Sequence, residues 1–315
     1  MKLSELLWNP AFKEKFVLQK FLCTFLHCSR EELRTNMDKE ISDEIIQKIL
    51  VAYKSYVEDK KPLEYILGHV DFFGKEFFVN EATLIPRPET EYMINSVSEF
   101  ISWKIEKLKD WKVENNILLD IWTGCGVLGI SVLLQNPDYF AEAVFADYFA
   151  NALEVAKKNY ELLITNYEWK VQFLQADLLD FLLNKSSTLK GTPSFLKEDK
   201  IDNTVLVANL PYIPEETFEM NAADNVKKWE PKTAFVWGDD GLDYYRIMLD
   251  QIVSLNKSST LKDTPSFFKE DKLMMFLEMM TWQVDVLRQE FDQYFVFEEV
   301  KTFHFNIRIV KAYLK

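Results

Sequence analysis

The segment that decides the fold runs from Thr204 to Tyr212 and reads Thr-Val-Leu-Val-Ala-Asn-Leu-Pro-Tyr. Its first part, Thr204–Ala208, is the short apolar run expected of a buried strand in a parallel sheet. Asn209-Leu210-Pro211-Tyr212 follows at the carboxyl end of that strand. In open α/β sheets, ligands bind in the crevice beyond the carboxyl ends of the strands. We therefore expect the Asn209 side chain and the main chain beside it to present oxygen acceptors to a ligand.

Alternating strands and helices surround this segment. The sequence predicts strands at 117–119, 143–146, 171–174, 204–208, 273–279, 295–300 and 305–312, and helices at 127–134, 150–163, 178–183, 242–255 and 284–291. Such alternation is typical of a doubly wound, mostly parallel sheet, so the predicted fold class is α/β. Upstream, apolar residues recur at helical spacing through 1–67. Residues 70–79 resemble a β-hairpin that turns at Gly74-Lys75.

Three parts follow from these patterns: a helical domain at 1–67, a β-hairpin linker at 68–88 and an α/β domain at 89–315. A 17-residue polar segment interrupts the α/β domain twice, at 184–200 and at 256–272, and the two copies differ at only two positions. Two copies are too few for a repeat architecture. Because lengthening a surface loop costs little closure entropy, we predict two dispensable loop insertions.

The charge balance and the composition exclude several kinds of partner. The chain has 37 Lys and Arg against 50 Asp and Glu, a net charge of −13, whereas binding duplex nucleic acid requires a basic face. No apolar stretch is long enough to span a bilayer. The three cysteines lack the paired spacing of a disulfide framework or a zinc site, and the three histidines form no ligand cluster. We expect a cytoplasmic protein with no metal, no membrane contact and no direct nucleic-acid partner.

A glycine-containing loop joins the first predicted strand of the α/β domain to its helix. It reads Asp120-Ile-Trp-Thr-Gly-Cys-Gly126, in which the glycines allow a ligand close to the backbone and the helix start offers free N–H groups. Asp147 ends the next strand, where a carboxylate can bridge two ribose hydroxyls or cap the following helix. Asp177 follows the third strand and can accept from an adenine amino group or cap the next helix. These features are compatible with a nucleoside-containing ligand.

Several further motifs complete the pattern. They are Pro62-Leu-Glu-Tyr-Ile-Leu-Gly68, Phe72-Phe-Gly74, Leu84-Ile-Pro-Arg-Pro-Glu-Thr-Glu91, Glu230-Pro231, Gly238-Asp-Asp-Gly-Leu242, Tyr245-Arg246 and Leu277-Glu278. With the 120–126 loop and the 209–212 segment, the chain resembles the release factor glutamine methyltransferases, within the class I S-adenosylmethionine-dependent methyltransferases. The resemblance covers nearly the whole chain outside the two insertions. Asn-x-Pro-Tyr alone also fits adenine-N6 methyltransferases, whereas 84–91 together with 238–242 is far more specific.

The resemblance implies a seven-stranded Rossmann-like methyltransferase sheet and a small N-terminal helical domain that recognises the substrate. The implied cofactor is S-adenosyl-L-methionine, and the residues implied to hold it are Asp120, Trp122, Thr123, Gly124, Gly126, Asp147, Asp177 and Asn209. The implied reaction is N5-methylation of the glutamine in the Gly-Gly-Gln motif of peptide chain release factors. The implied state of the enzyme is a monomer.

The 209–212 segment carries the implied catalysis. The Asn209 side-chain oxygen and the Leu210 carbonyl would each accept one N–H of the substrate amide and so orient its nitrogen toward the methyl donor. Pro211 would rigidify the turn, and Tyr212 would pack against the substrate glutamine. Because an amide nitrogen is a poor nucleophile, positioning must supply much of the rate. Two further residues are implied to line the mouth of the site or to hold the hairpin: Arg87 and Glu89.

Two other functions remain open from the sequence. An adenine-N6 nucleic-acid methyltransferase shares Asn-x-Pro-Tyr, but the acidic charge balance and the lack of a basic recognition domain count against it. A catalytically impaired homologue that only binds release factors is favoured by Trp122 alone. Intact Asn209 and Asp147 oppose that interpretation.

Tryptophan replaces glycine at two positions of the family pattern, Trp122 in the 120–126 loop and Trp237 before Gly238. An indole at 122 should block the cofactor cleft or force the loop aside, because glycine is used there for its lack of a side chain. The chain has only 8 glycines in 315 residues, against an average of about 7%. Our hypothesis is that the source decodes UGA as glycine, so that these tryptophans are glycines in the natural protein. A UGG codon at 122 and 237 would contradict it.

Overall fold

Five helices form the N-terminal part of the computed structural model, which describes residues 1–107, 116–167, 169–183, 203–258, 273–302 and 307–315. They are α1 (Leu3–Trp8), α2 (Lys15–Leu26), α3 (Arg30–Thr35), α4 (Asp43–Val57) and α5 (Leu63–Leu67). Ser29 and Ser42 accept the N–H of the residue three positions on, which explains where α3 and α4 begin. These helices share one apolar core, in which Leu18, Phe21 and Ile49 are fully buried.

A β-hairpin follows, made of β1 (His69–Phe72) and β2 (Lys75–Phe78). The predicted turn was wrong by one residue, because Lys75 pairs with Phe72 as the first residue of β2. The turn residues are Phe73 and Gly74, with φ values of 47° and 72°. Positive φ at both positions is the conformation of a type I′ turn, a common two-residue hairpin loop. Phe73 is held in that conformation by its N–H, which donates to Glu91 Oε1 at 2.8 Å.

A seven-stranded sheet forms the centre of the α/β part, as predicted. Its strands are β3 (Ile117–Ile121), β4 (Glu142–Asp147), β5 (Lys170–Gln175), β6 (Thr204–Ala208), β7 (Leu273–Met280), β8 (Phe295–Thr302) and β9 (Ile307–Leu314). The order across the sheet is β5-β4-β3-β6-β7-β9-β8, with β3 to β7 parallel and β9 antiparallel to both neighbours. The carboxyl ends of β3, β4 and β6 therefore lie side by side, and the three predicted segments that follow them meet at one edge.

Helices cover both faces of the sheet. They are α6 (Glu91–Lys107), α7 (Val127–Gln135), α8 (Ala150–Leu163), α9 (Asp180–Leu183), α10 (Glu215–Asn221), α11 (Asp224–Trp229), α12 (Asp243–Ser258) and α13 (Thr281–Glu290). Successive residues of β3 face opposite sides, as the strand period requires. Leu118 packs in the core with α6, α7 and α8, whereas Leu119 packs in the core with α12 and α13. No helix within the described ranges is long and apolar enough to cross a membrane.

The two predicted loop insertions precede β6 and β7 in the chain. The copy at 184–200 lies outside the described residues, and so does the copy at 256–272 except for its first three residues, which end α12. The chain returns from these segments to the amino ends of β6 and β7, opposite the edge where the site residues meet. The proposed domain limits at 67/68 and 88/89 stay a prediction.

Candidate functional site

A cavity of about 260 Å³ opens beyond the carboxyl ends of the central strands. Side chains and backbone from five regions line it: the 81–90 segment, the loop after β3 with the start of α7, the loop after β4 with the start of α8, Asn209 after β6, and the 231–234 segment. Of the residues proposed from sequence, those that line this cavity are Arg87, Trp122, Thr123, Gly124, Asp147 and Asn209. Asp120, Gly126, Asp177, Leu210, Pro211, Tyr212 and Glu89 do not line it. Among the residues that the structure describes, no group of three or more His, Cys, Asp or Glu is arranged to hold a metal ion.

The loop after β3 has the tight turn that its glycines allow. Gly124 and Gly126 have φ values of 57° and 82°, and Gly126 is the N-cap of α7. A Cβ at Gly126 would lie 3.3 Å from the backbone of Ala156, so the glycine also permits close packing of the loop on α8. The Thr123 N–H donates to the Ala146 carbonyl at 3.0 Å, which ties the loop to the end of β4.

Asp120 supports the loop from below. Its Oδ2 accepts from the Thr123 hydroxyl at 2.6 Å and from the Gly129 N–H at 2.9 Å, whereas Oδ1 is buried with no hydrogen-bond partner. Burial raises the pKa of Asp120 to about 7, although the bonds from Thr123 and Gly129 oppose the rise. A Cβ at position 129 would lie 2.7 Å from Oδ2, so Gly129 makes room for the carboxylate. Asp120 thus positions the loop and does not face the cavity.

Asp147 reaches the cavity itself. One carboxylate oxygen accepts from the Gly124 N–H and the other from the Phe149 N–H, both at 2.9 Å. These bonds fix the carboxylate across the two loops, and each oxygen keeps further lone-pair sites for a ligand. Burial raises the pKa of Asp147, against the two backbone bonds. The bond to Phe149 lies just before α8, but Phe149 itself is the N-cap of that helix, so the alternative prediction that Asp147 caps α8 was wrong.

Trp122 lies in the cavity wall with a backbone conformation that glycine prefers. Its φ is 61°, in the left-handed region, which bulky residues rarely adopt. The indole centroid of Trp122 is 4.5 Å from the Tyr244 ring centroid, and Trp237 stacks on the same Tyr244 ring at 4.4 Å. Trp237 has no positive φ, in contrast to Trp122. The backbone therefore favours glycine at 122 but makes no such demand at 237.

Asp177 lies at the edge of this aromatic cluster and outside the cavity. It is exposed, and its charge raises the pKa of Tyr244, whose pKa is raised first by burial. Its carbonyl accepts the Asp180 N–H at 3.1 Å at the start of α9. The role proposed for Asp177 with the adenine group stays a prediction.

The 209–212 segment leaves β6 as expected, and its groups face two directions. Asn209 is partly exposed in the cavity, and its Nδ2 donates to the Thr90 hydroxyl oxygen at 3.3 Å. This arrangement leaves Asn209 Oδ1 available to a ligand. Leu210 is buried, and its carbonyl lies 3.4 Å from the Tyr245 hydroxyl, which donates its single hydrogen to the closer Glu278 carbonyl. The pairing of Asn209 and Leu210 oxygens on one substrate amide stays a prediction.

Tyr212 points away from the cavity, toward a buried carboxyl group. Its hydroxyl donates to Glu278 Oε1 at 3.0 Å, and Glu278 Oε2 is buried with no hydrogen-bond partner at bonding distance. Burial raises the pKa of Glu278 to about 7, an effect that the nearby Thr90, Tyr212 and Asn209 side chains oppose. The predicted contact of Tyr212 with a substrate glutamine stays untested, but the hydroxyl already has this partner.

The backbone of the same segment is braced from behind. Gln283 Nε2 donates to the carbonyls of Tyr212 and Asp240, both at 2.8 Å. Gly241 has a φ of 72° and packs against the Tyr212 carbonyl, since a Cβ there would lie 2.6 Å from the Tyr212 carbonyl carbon. The Gly238-Asp-Asp-Gly-Leu242 motif therefore has a physical function, which is to hold the 209–212 turn in place.

Arg87 and Glu89 differ in their surroundings. Arg87 lines the cavity and forms an ion pair at 2.7 Å with Glu230, whose side chain is 2% exposed and whose other oxygen accepts the Ile85 N–H at 3.1 Å. Glu89 is half-buried in the turn before α6, and its charge contributes to the raised pKa of Glu278. Both of the roles considered for Arg87, lining the mouth and holding the 84–91 segment, fit this geometry.

Sequence reasoning did not identify some residues that shape the site. Thr90, Tyr245 and Glu278 stand in the motifs that carry the family resemblance, but only their three-dimensional contacts give them a function. Asn159 is fully buried and joins three backbone groups, the Phe78 N–H, the Phe78 carbonyl and the Cys125 carbonyl, at 2.7 to 2.9 Å. No local signal marks Asn159 or Gln283, because their partners are distant in sequence.

Comparison with known proteins places this arrangement in a family. A scan against protein-family models found no match. The chain is 36% identical over 231 residues to the release factor glutamine methyltransferase of Bacillus anthracis, covering 73% of this chain and 72% of the relative. It is 32% identical over 222 residues to that of Bacillus subtilis, covering 70% and 68%. Among solved structures, the catalytic domain of human Mettl16 in complex with an RNA hairpin is 14% identical, with a TM-score of 0.47. The match covers 88% of this chain and 85% of that chain. This similarity is too low to support a conclusion. On the two bacterial relatives, the chain belongs to the release factor glutamine methyltransferase family, within the class I S-adenosylmethionine-dependent methyltransferases.

Proposed function

We propose that this protein transfers a methyl group from S-adenosyl-L-methionine to the side-chain nitrogen of the glutamine in the Gly-Gly-Gln motif of peptide chain release factors. One observation supports this most directly. Asn209 lines the same cavity as Asp147 and the loop after β3, and its nitrogen is taken by Thr90. An acceptor oxygen is therefore available to a substrate NH₂ group next to the residues suited to a nucleoside.

The cavity residues fit the cofactor in charge and in hydrogen-bonding capacity. Asp147 puts a carboxyl group on its wall, whereas the two other charged lining residues are already paired, Glu81 with Lys61 and Arg87 with Glu230. Asp147 retains lone-pair sites for ribose hydroxyls. Val127 and Leu128 line the cavity at the start of α7, whose N-cap Gly126 has no side chain, and we propose that their N–H groups face a carboxylate, whereas the Gly129 N–H is held by Asp120. When bound, the cofactor supplies an electrophilic methyl group on a sulfonium ion.

The protein contributes position and electrostatics to this reaction. Asn209 Oδ1, with the Leu210 carbonyl, would hold both hydrogens of the planar substrate amide and fix the direction of its nitrogen lone pair. Well-oriented reactants gain effective molarities worth about 7–11 kcal/mol of the barrier. Gln283, Gly241 and Tyr245 keep the acceptors in place from behind. The turn is thus preorganised by buried groups that never touch the substrate.

The test is methylation of a purified release factor with labelled methyl donor, followed by mass spectrometry of the Gly-Gly-Gln peptide. We expect one methyl group on the glutamine nitrogen, and none on a release factor whose motif glutamine is replaced by alanine. Asn209→Ala should lower kcat by about 100- to 1,000-fold, the usual effect of removing one preorganised hydrogen-bonding group. Label on the glutamine-free release factor, or on nucleic acid in place of the peptide, would contradict the proposal.

Three parts of the proposal concern the cellular setting. We propose that the protein acts as a monomer, contacts the release factor through protein surface alone, and works in the cytoplasm. All three cysteines are free, as a reducing compartment requires. Light scattering of the purified protein, alone and with a release factor, tests the first part.

A further inference from the structure

The orientation of the Asn209 amide decides whether the site can accept an NH₂ group at all. An asparagine side chain offers an oxygen acceptor on one side and an NH₂ donor on the other, and the two ends have nearly the same shape. Only the oxygen can bind a substrate NH₂. Something in the protein must therefore hold the Asn209 nitrogen turned away from the cavity.

Thr90 is the partner of that nitrogen, and its hydroxyl can act in two ways. Thr90 is 3% exposed, and its Oγ1 lies 3.3 Å from Asn209 Nδ2. If the hydroxyl hydrogen is used elsewhere, Oγ1 can only accept, and the Asn209 nitrogen must face it. If the hydrogen is free, the hydroxyl can instead donate to the Asn209 oxygen, and the amide reverses. The direction of this one bond is set by what the Thr90 hydrogen binds.

Glu278 provides the place for that hydrogen. Glu278 is 2% exposed, its Oε1 accepts from Tyr212, and its Oε2 has no hydrogen-bond partner at bonding distance. Thr90 and Asn209 are close enough to Glu278 to lower the pKa of its carboxyl group. A buried hydroxyl rarely leaves its hydrogen unpaired, and a buried carboxylate oxygen rarely lacks a donor. These two unmet requirements lie next to each other.

We propose that Glu278 accepts a hydrogen bond from the Thr90 hydroxyl and thereby fixes the Asn209 amide with its oxygen toward the cavity. Glu278 is a positioning residue in this arrangement, since it acts through Thr90 and does not face the cavity. The inference rests on the proposed function, because the orientation matters only when the substrate presents an NH₂ group. The same carboxylate holds the Tyr212 hydroxyl, so one buried group secures both ends of the 209–212 segment.

The charged surroundings of Glu278 leave it dependent on these hydrogen bonds. The like charge of Glu89 acts on it, and the two tyrosines near it, Tyr212 and Tyr245, have pKa values raised far above the usual range, mainly by burial. Tyr245 donates to the Glu278 backbone carbonyl, so it does not satisfy the carboxylate. Tyr212 is already bound to the other oxygen, and Thr90 lowers the pKa of Glu278 more than Asn209 does, so Thr90 is the donor assigned to the free oxygen.

The decisive variant is Glu278→Gln, which keeps the shape but replaces an acceptor by an NH₂ donor. The new NH₂ group would donate to Thr90 Oγ1, release the hydroxyl hydrogen toward Asn209 and reverse its amide. The kcat/KM for methylation of the release factor should then fall by about 100-fold. The site would lose a buried acceptor, and the Asn209 NH₂ group would face the NH₂ group of the substrate. The dissociation constant for S-adenosylmethionine, measured by calorimetry, should change less than threefold, because the Asp147 region is untouched.

Thr90 variants separate this mechanism from a simple loss of structure. Thr90→Ser keeps the hydroxyl and should retain most of the activity, whereas Thr90→Val removes it and should lower kcat/KM by about 10-fold. Adding Glu278→Gln to Thr90→Val should cost less than a further threefold, since the bond it disturbs is already gone. An equal loss from Glu278→Gln with and without the Thr90 hydroxyl would overturn the inference. So would full activity of Thr90→Val, a comparison that remains decisive even where Glu278→Gln does not fold. A wild-type protein that binds S-adenosylmethionine and methylates no release factor would instead refute the proposed function.

Discussion

Replacing Gly241 by alanine should impair catalysis far more than it impairs folding. Gly241 has a φ of 72°, and a Cβ there would lie 2.6 Å from the Tyr212 carbonyl carbon and 3.0 Å from Gln283 Nε2. Since ordinary contacts of a Cβ begin near 3.4 Å, the Tyr212 backbone must move by about 1 Å. A displacement of that size in a positioning group costs about 100-fold in rate. We therefore expect kcat for methylation of a release factor to fall about 100-fold in Gly241→Ala, equivalent to about 2.7 kcal/mol in the barrier.

Gly74 offers a matched control for the backbone strain. It also has a φ of 72°, but no atom lies within 4 Å of the Cβ that alanine would add. Left-handed strain costs an alanine about 1–2 kcal/mol per residue, and it should do so equally at both positions. Gly241→Ala should lose about a further 1–3 kcal/mol of unfolding free energy from overpacking, measured by urea denaturation. Gly74→Ala should keep wild-type kcat.

The comparison of the two variants gives the result that refutes this reasoning. If Gly241→Ala and Gly74→Ala have the same kcat, the Gly238-Asp-Asp-Gly-Leu242 motif does not hold the 209–212 turn. Equal unfolding free energies would show that the Tyr212 carbonyl yields without cost. The S-adenosylmethionine dissociation constant serves as an internal check, since neither glycine lines the cavity.

Three further predictions follow from the same contacts. Trp122→Gly should tighten the binding of S-adenosylmethionine measured by calorimetry, because it removes the indole from the cavity wall and relieves the strain of a φ of 61°. Unchanged or weaker binding would contradict both the strain argument and the glycine-decoding hypothesis. The pKa of Asp120 is raised from 3.8 to about 7 in the folded state. Asp120 therefore contributes folding stability that is complete below the pKa of the unfolded chain and is lost as the pH rises toward 7. The loss is at most about 1.4 kcal/mol per pH unit. Denaturation of Asp120→Asn between pH 4 and 8 should lack this slope, and an identical slope in both proteins would assign it elsewhere. Asn159→Ala should lower the unfolding free energy by about 3 kcal/mol, because three hydrogen bonds are lost. Glu154→Ala, at an exposed position on the same helix, should change the unfolding free energy little. A loss below about 1 kcal/mol in Asn159→Ala would mean that water replaces the amide.

The sheet could be predicted well from the sequence because most of its parallel strands are local apolar runs. Thr204–Ala208 and Leu273–Met280 are buried along nearly their whole length, and that burial is visible as composition without any knowledge of partners. The hairpin turn was misplaced by one residue because Phe73, not Lys75, takes a positive φ, and this depends on the distant Glu91. Local patterns do not encode such a contact.

The candidate site was predicted less completely, for the same physical reason. Asp147 and Asn209 could be located from the ends of the predicted strands, and both line the cavity. The orientation of each side chain could not be predicted in this way. Tyr212 turns toward Glu278 across 66 residues of sequence, and Gln283 reaches the Tyr212 carbonyl across 71. Buried polar groups select their partners in the folded protein, so hydrogen-bond satisfaction is a property of the tertiary structure.

The amino ends of β6 and β7, which follow the two 17-residue segments in the chain, are junctions of practical use. The five residues of β6 place Asn209 about 15 Å beyond the first of these junctions. An affinity tag, a fluorophore or a spin label introduced at either junction would therefore sit at the far side of the sheet from the methylation chemistry. The same geometry offers two attachment points for immobilising the enzyme with its cavity turned toward an incoming release factor.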